Sequence, residues 1–191
     1  MSVSKPDLDI LDNRHFKWEL DRTYPNLVPI ENKSFEAEWE WLNVLHEEMP
    51  DHVVEPLNPM FLEGELTGYS MNKVSGRRID SYFNMPDFGL TTGVERVIRL
   101  FDLVEKMHEK GLAHGDLYKN IIYSDQEGFK MIDPPGHPSD MEEIEALQDR
   151  DKAAVIHFQS LVSRNPEWYD NSDPWSQLSS YRVEYGELEK V

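Results

Sequence analysis

The feature that most limits the fold of this chain is one long amphipathic run followed closely by two short apolar ones. From Thr92 to Lys110, residues Val94, Val97, Ile98, Phe101, Val104 and Met107 return at helical spacing and make a single apolar stripe. Thr92 and Glu95 have the spacing of a capping box. Lys106 and Lys110 suit the negative end of the helix dipole, and Gly111 suits the left-handed residue that closes a helix. Beyond it lie Ile121-Ile122-Tyr123 and Phe129-Lys130-Met131-Ile132, separated by Ser124-Asp125-Gln126-Glu127-Gly128. Two strand-like runs around a polar loop that ends in glycine predict a hairpin. A helix with a stripe to bury, beside a hairpin with a face to bury, points to an α+β fold.

The rest of the chain is read around that unit. Residues 1–14 are polar and aperiodic and predict a loose tail. Phe16 to Leu20 predicts a short strand, and Pro25-Asn26 with Pro29 a loop. Ser34 to Glu48 predicts a helix on the spacing of Phe35, Trp39, Leu42 and Leu45, ended by Met49-Pro50-Asp51. His52-Val53-Val54 and Met60-Phe61-Leu62 read as strand pieces. Glu63-Gly64-Glu65 reads as a turn, and Leu66 to Val74 as a returning strand. A second long helix is expected from Met141 to Val162. The tail aromatics Trp168, Tyr169 and Trp175 read as core cover.

Composition narrows the function. Nineteen Lys and Arg against 37 Asp and Glu leave a formal net charge of −18. A surface that negative repels phosphate backbones and anionic lipids, so neither nucleic-acid nor membrane binding is expected. The acidity fits a solubilising surface, or a face for a basic partner. With no cysteine, disulfides and thiolate metal sites are excluded. The seven histidines show no zinc-ligand spacing. No leader and no spanning apolar run is visible, which predicts a cytoplasmic protein.

The chemistry concentrates between Gly111 and Gly136. If the hairpin loop is Asp125 to Gly128, Ser124 pairs with Phe129 and Ile122 with Met131. That register sets Asn120 opposite Asp133, within the roughly 4.5–5.5 Å that separates paired Cα atoms. Asp116 lies just before, on the connection from the long helix. Three oxygen-bearing side chains meeting at the open end of a hairpin suit a hard cation such as Mg²⁺. Asp and Asn are also ordinary turn and cap residues.

His114-Gly115-Asp116-Leu117 with Asn120, followed by Ile132-Asp133, resembles the catalytic loop and metal-binding aspartate of the protein-kinase-like superfamily. The compact atypical members, such as RIO kinases, the small kinase of the KEOPS complex and lipopolysaccharide-kinase-like phosphotransferases, are the more similar ones. The resemblance implies a two-lobed fold with a trimmed N-lobe: residues 15–76 would be N-lobe-like, and residues 77–191 a short helical C-lobe. It implies ATP and Mg²⁺ as cofactors, with Asp116 as catalytic base and Asn120 and Asp133 as metal ligands. Lys119 would contact a phosphate, and His114 would brace the loop. Glu38 resembles the helix glutamate that pairs with a phosphate-gripping lysine, for which Lys17 is the candidate, 38 − 17 = 21 residues upstream. Glu36 and Glu40 compete with Glu38 for that place. Met71-Asn72-Lys73-Val74-Ser75-Gly76 resembles the interlobe hinge, with adenine held near Met71, Asn72 and Val74. His137-Pro138, Arg150-Asp151 and Phe158 resemble the RIO pattern, in which Asp151 would brace the catalytic loop.

Two departures accompany the resemblance. Residues 1–63 contain no glycine, whereas a glycine-rich loop usually covers the phosphates. The step from Asp116 to Asn120 is 120 − 116 = 4 residues, one fewer than usual, and Mg²⁺ tolerates little distortion. The implied activity is phosphoryl transfer from ATP to a hydroxyl of a protein or a small sugar or alcohol. The alternative is a catalytically degenerate kinase-like fold that serves as a binding module. A partner protein that completes the N-lobe is a third expectation.

Overall fold

A computed structural model describes residues 33–79, 81 and 90–163. The predicted strand at Phe16 to Leu20, Lys17 and the aromatic tail beyond 163 lie outside the described residues. In chain order the elements are α1 (Phe35–Glu48), β1 (Pro56–Leu62), β2 (Glu65–Met71), β3 (Arg77–Arg78), α2 (Leu90–Glu109), β4 (Ile121–Ser124), β5 (Gly128–Met131) and α3 (Met141–Ser163). The α+β class is therefore as expected. Strands β1 and β2 form one antiparallel pair, and β3-β4-β5 form a second small antiparallel sheet. Among the described residues, no helix is long and apolar enough to cross a membrane.

Helix α1 begins where Ser34 caps it, its hydroxyl accepting from the Ala37 N–H at 3.2 Å. Its inward face is Trp41, Leu42 and Leu45, with Trp39 half-buried. Phe35, expected on that face, is 51% exposed. Trp41 is buried instead, flanking Leu45 on the helix wheel on the side opposite Leu42. Helix α2 starts at Leu90, so Thr92 lies inside it and the expected Thr92–Glu95 box is not its beginning. Its end is as the composition predicts. Gly111, at φ +73°, donates to the His108 carbonyl at 2.9 Å, and Leu112 donates to Met107 at 3.1 Å. This Schellman pair satisfies two carbonyls that the helix leaves open. It also turns the chain directly into the loop that follows.

The β1–β2 connection is the two-residue Glu63-Gly64 turn, with φ 53° and 89°. Positive φ at both central positions matches the twist of the flanking strands. Strand β2 ends at Met71, short of the expected Val74. His52-Val53-Val54 is not a strand of its own. Val53 makes a single parallel bridge to Met131, flanked by hydrogen bonds from Met131 N–H to His52 and from Val54 N–H to Met131. That bridge ties the connection after α1 to the sheet that carries the predicted chemistry.

The β4–β5 hairpin is shifted by one residue from the expected register. Ser124 pairs with Gly128, Tyr123 with Phe129, Ile122 with Lys130 and Ile121 with Met131. The loop is the three residues Asp125-Gln126-Glu127, with Gly128 left-handed at φ +70° as first residue of the returning strand. Ser124 Oγ accepts from the Glu127 N–H at 3.0 Å and closes the loop. Arg96 on α2 bonds Asp125 at 3.2 Å and lies over the Tyr123 ring at 4.5 Å, fixing the hairpin tip to the helix. Between these elements the core is continuous, from Leu42 and Leu45 through Leu100, Phe101 and Met107 to Ile121, Met131 and Phe158.

Gly76, at φ +123°, lies where a Cβ would come 2.3 Å from the Tyr123 carbonyl oxygen, so β3 can approach β4 only without a side chain there. A Cβ on Gly111 would meet nothing within 4 Å. In denaturant titrations Gly111→Ala is therefore expected to lose about 1–2 kcal/mol, the left-handed backbone penalty alone. Gly76→Ala should lose more than about 2 kcal/mol, because overpacking against backbone is added.

Candidate functional site

The chain leaves α2 through Leu112 and Ala113 and enters the loop His114 to Asn120, which is held from below by α3. Asp151 on α3 is fully buried, and its two oxygens accept from the His114 N–H at 2.8 Å and the Gly115 N–H at 2.7 Å. His108 Nε2 approaches the same carboxyl at 3.3 Å. Arg150 Nε donates to the Gly115 carbonyl at 3.3 Å. Gly115 is required here twice over. Its φ is +84°, and a Cβ would lie 2.5 Å from Leu147 Cδ2. The loop thus sits flat on α3 because its second residue has no side chain.

His114 is buried and braces the loop. Its Nδ1 accepts from the Asp116 N–H at 3.2 Å, which assigns the proton to Nε2, and Nε2 donates to the Ile132 carbonyl at 2.8 Å. One ring therefore fixes Asp116 against the residue that precedes Asp133. Leu117 and Tyr118 both point inward. Tyr118 stacks on Phe158 with centroids 5.3 Å apart, and His157 Nε2 lies 3.2 Å from its hydroxyl.

The loop closes in a tight turn. Asn120 N–H donates to the Leu117 carbonyl at 3.2 Å, closing residues 117–120 into a β-turn. The Asn120 amide then donates to Asp116 Oδ2 at 3.2 Å and to the Asp133 backbone carbonyl at 3.1 Å. Asp116, Asn120 and Asp133 are together, as expected, although the pairing that achieves it is different. In the observed register Asn120 stands opposite Ile132, whose N–H donates to its carbonyl at 2.9 Å. Asp133 lies one residue beyond and turns back through a left-handed φ of 47°, a conformation that Asp tolerates better than most residues.

Electrostatics single out Asp133. The residue keeps access to solvent, yet protein surrounds its carboxyl on most sides. That burial raises it above the ordinary carboxylate range, the charge of Asp116 adds to the rise, and His114 opposes it. Glu38 also faces this corner, whereas Glu36 and Glu40 are exposed. Its Oε1 accepts from the Tyr69 hydroxyl. Burial pushes Glu38 up, the Tyr69 bond opposes, and the charge of Asp133 adds to the rise. Tyr69 is pushed up in turn, by burial and by Glu38. Sequence reasoning missed Tyr69. The alternation of β2 was its only signal.

The remaining expected residues are not all gathered here. Lys119 is half-buried on the same loop. Met71 packs against the core cluster. Asn72 donates through its backbone and its side chain to Glu55. With Val74, it lines a cavity of about 440 Å³ whose other walls include His46, Val54, Lys73 and Lys130. That cavity includes none of Asp116, Asn120 and Asp133. Lys17 lies outside the described residues.

Two carboxylates and an amide oxygen suit one kind of metal. Among the described residues, no group of three or more His, Cys, Asp or Glu is arranged to hold an ion by itself. A structural zinc or calcium cage is thus not what these residues offer. Both amide hydrogens of Asn120 face acceptors, which leaves Oδ1 as its donor atom toward a cation. Mg²⁺ is commonly held by one or two carboxylates, with water and phosphate oxygens completing its shell, and the set here fits that pattern. Compared with known proteins, the chain matches no family model and no curated protein.

Two outcomes follow from this geometry. Asp151→Ala leaves two buried N–H groups without an acceptor, and at about 1–3 kcal/mol each it should lose about 2–6 kcal/mol in denaturant melts. Asp133→Asn keeps a residue that tolerates the left-handed backbone and removes a charge that the fold disfavours. It should raise the melting temperature at pH 7. Because the folded-state carboxyl is raised, wild type regains that stability as Asp133 protonates, so the gap should close as pH falls through its raised value toward the ordinary aspartate range.

Proposed function

We propose that this chain is an ATP- and Mg²⁺-dependent phosphotransferase with a compact, two-lobed kinase-like fold, and that it transfers a phosphoryl group to a hydroxyl. The observation that carries the reading is the Asn120 side chain, which bridges the Asp116 carboxyl at 3.2 Å and the Asp133 carbonyl at 3.1 Å. Asp151 adds support from beneath by gripping the backbone of His114 and Gly115.

In this reading Asp133 and Asn120 Oδ1 hold the magnesium, which neutralises charge on the phosphates. Asp116 orients the acceptor hydroxyl and takes its proton. The acceptor oxygen forms a bond to the γ-phosphorus as the bond to the ADP oxygen breaks. The Asn120 bond turns one Asp116 oxygen toward the loop and leaves the other for the acceptor. Lys119 serves a phosphate from the same loop, and Lys17 is the candidate partner for Glu38. Adenine rests near Met71, Asn72 and Val74. A protein that completes the phosphate-covering lobe remains part of this proposal, since residues 1–63 contain no glycine. The acceptor is a protein hydroxyl or a small sugar or alcohol.

A second reading, a degenerate kinase-like fold used as a binding module, draws on the separation of the Asn72–Val74 cavity from the Asp116 corner. One experiment divides the two. Thermal shift with ATP should rise on adding Mg²⁺ in wild type and in Asp116→Ala, and should vanish in Asp133→Ala. ADP release should fall by about 10²–10⁴ in Asp116→Ala. No nucleotide-dependent shift in wild type would leave the binding module as the better account.

A further inference from the structure

Helix α1 carries Glu38 to the Asp133 corner, and its own position is set from an unexpected direction. Lys33, two residues before the helix, donates through its backbone N–H to the Pro135 carbonyl at 3.0 Å. Its ammonium donates to the His137 carbonyl at 2.6 Å and pairs with Glu143 Oε1 at 2.6 Å. Returning the contact, the His137 N–H donates to the Ala37 carbonyl at 2.9 Å, one residue before Glu38. Gly136 makes room for this crossing. At φ +132°, a Cβ there would lie 2.7 Å from Lys33 Cβ.

We infer that Lys33 is a positioning residue for the candidate site: it ties the entry of α1 to the Pro135–His137 turn and to Glu143, and so holds Glu38 beside Asp133. The inference rests on the phosphotransferase reading for its catalytic consequence and on geometry alone for the tie.

The tie is built to be stiff. Glu143 uses its second oxygen to accept from the Ser139 N–H and hydroxyl, both at 2.7 Å, so the anion that meets Lys33 is itself fixed at the start of α3. The Glu143 N–H donates to Asp140 Oδ1 at 2.9 Å, which caps the same helix. Slight burial would raise Glu143, but the bonds from Lys33 and Ser139 win and bring it down to about 2. It therefore stays charged across the physiological range. Farther along α1, Trp41 Nε1 donates to the Ala113 carbonyl at 2.9 Å, and the Trp41 ring meets His137 edge-on at 4.9 Å. The helix is thus held at its entry by the segment after Asp133 and at its middle by the segment before His114. An element pinned at both places cannot swing Glu38 away while both hold.

Amide hydrogen exchange tests the tie directly. In Lys33→Met the His137 N–H should exchange at least about tenfold faster, while His114 and Gly115, gripped by Asp151, stay protected. Lys33→Arg should restore protection, and Glu143→Gln should act in the same direction as Lys33→Met if the latter folds poorly. With Mg-ATP as the probe, Lys33→Met should lower kcat about tenfold, leave KM within about twofold, and recover in Lys33→Arg. Unchanged His137 exchange in folded Lys33→Met and Glu143→Gln overturns the inference. Faster exchange in a protein whose wild type never turns over Mg-ATP upholds the tie and overturns the phosphotransferase reading alone.

Discussion

The carboxyl of Asp151 is the fixed point of this molecule. Two consecutive backbone N–H groups, of His114 and Gly115, end on it inside the core, where water cannot replace them. Everything the site contains is measured from there. His114 hangs from the same backbone and reaches Ile132 on one side and the Asp116 N–H on the other. Asp116 then meets Asn120, and Asn120 meets Asp133. A chain of directional bonds from one buried acceptor sets three functional groups on two different elements, with little left to loop flexibility. The arrangement is also demanding. Gly115 is favoured as glycine because its φ is +84° and a Cβ there would displace the Leu147 side chain.

Much of this was legible in the residues. The stripe from Val94 to Met107 announced α2, and Gly111 announced its end, because a left-handed residue with no neighbour favours glycine on backbone grounds alone. The hairpin was legible as an element but not in register. A four-residue loop that includes Gly128 and a three-residue loop that stops before it are not told apart by alternation when the run Ile121-Ile122-Tyr123 is apolar on both faces. Local chemistry decides it. Ser124 Oγ caps the Glu127 N–H, and the left-handed φ of Gly128 starts the returning strand, so the pairing moves by one residue. The predicted meeting of Asn120 with Asp133 survives because a side-chain amide spans the step that the ladder does not.

Other parts were illegible for a different reason. The acids Glu36, Glu38 and Glu40 are equivalent to any pattern that reads α1 by itself, since only the neighbour across the helix chooses among them. That neighbour is Tyr69, from a strand whose burial is partial and whose pairing skips a residue between Gly68 and Leu66. Trp41 was hidden likewise. It is inward because Ala113 offers a carbonyl to its indole N–H, a partner 72 residues away. Long-range partners carry no local signature, and in this fold they determine which face of α1 looks at the site.

The turn between Asp116 and Asn120 shows how the physics of a short loop can bring two polar groups together. A loop this short can stretch, which would draw Asn120 away, or tighten, which needs a hydrogen bond to compensate for the turn's conformational cost. Here the Asn120 N–H to Leu117 carbonyl bond does the second. Tightening is permitted because Leu117 and Tyr118 are both drawn into the core, Tyr118 against Phe158 and His157, so the middle of the turn is held by apolar burial and aromatic packing as well as by its backbone. Packing of this kind fixes the distance between two polar groups through the burial of Leu117 and Tyr118 between them. Residue counting measures contour length, whereas the separation of Asp116 from Asn120 is set by where Leu117 and the Tyr118 ring find a hydrophobic floor on α3.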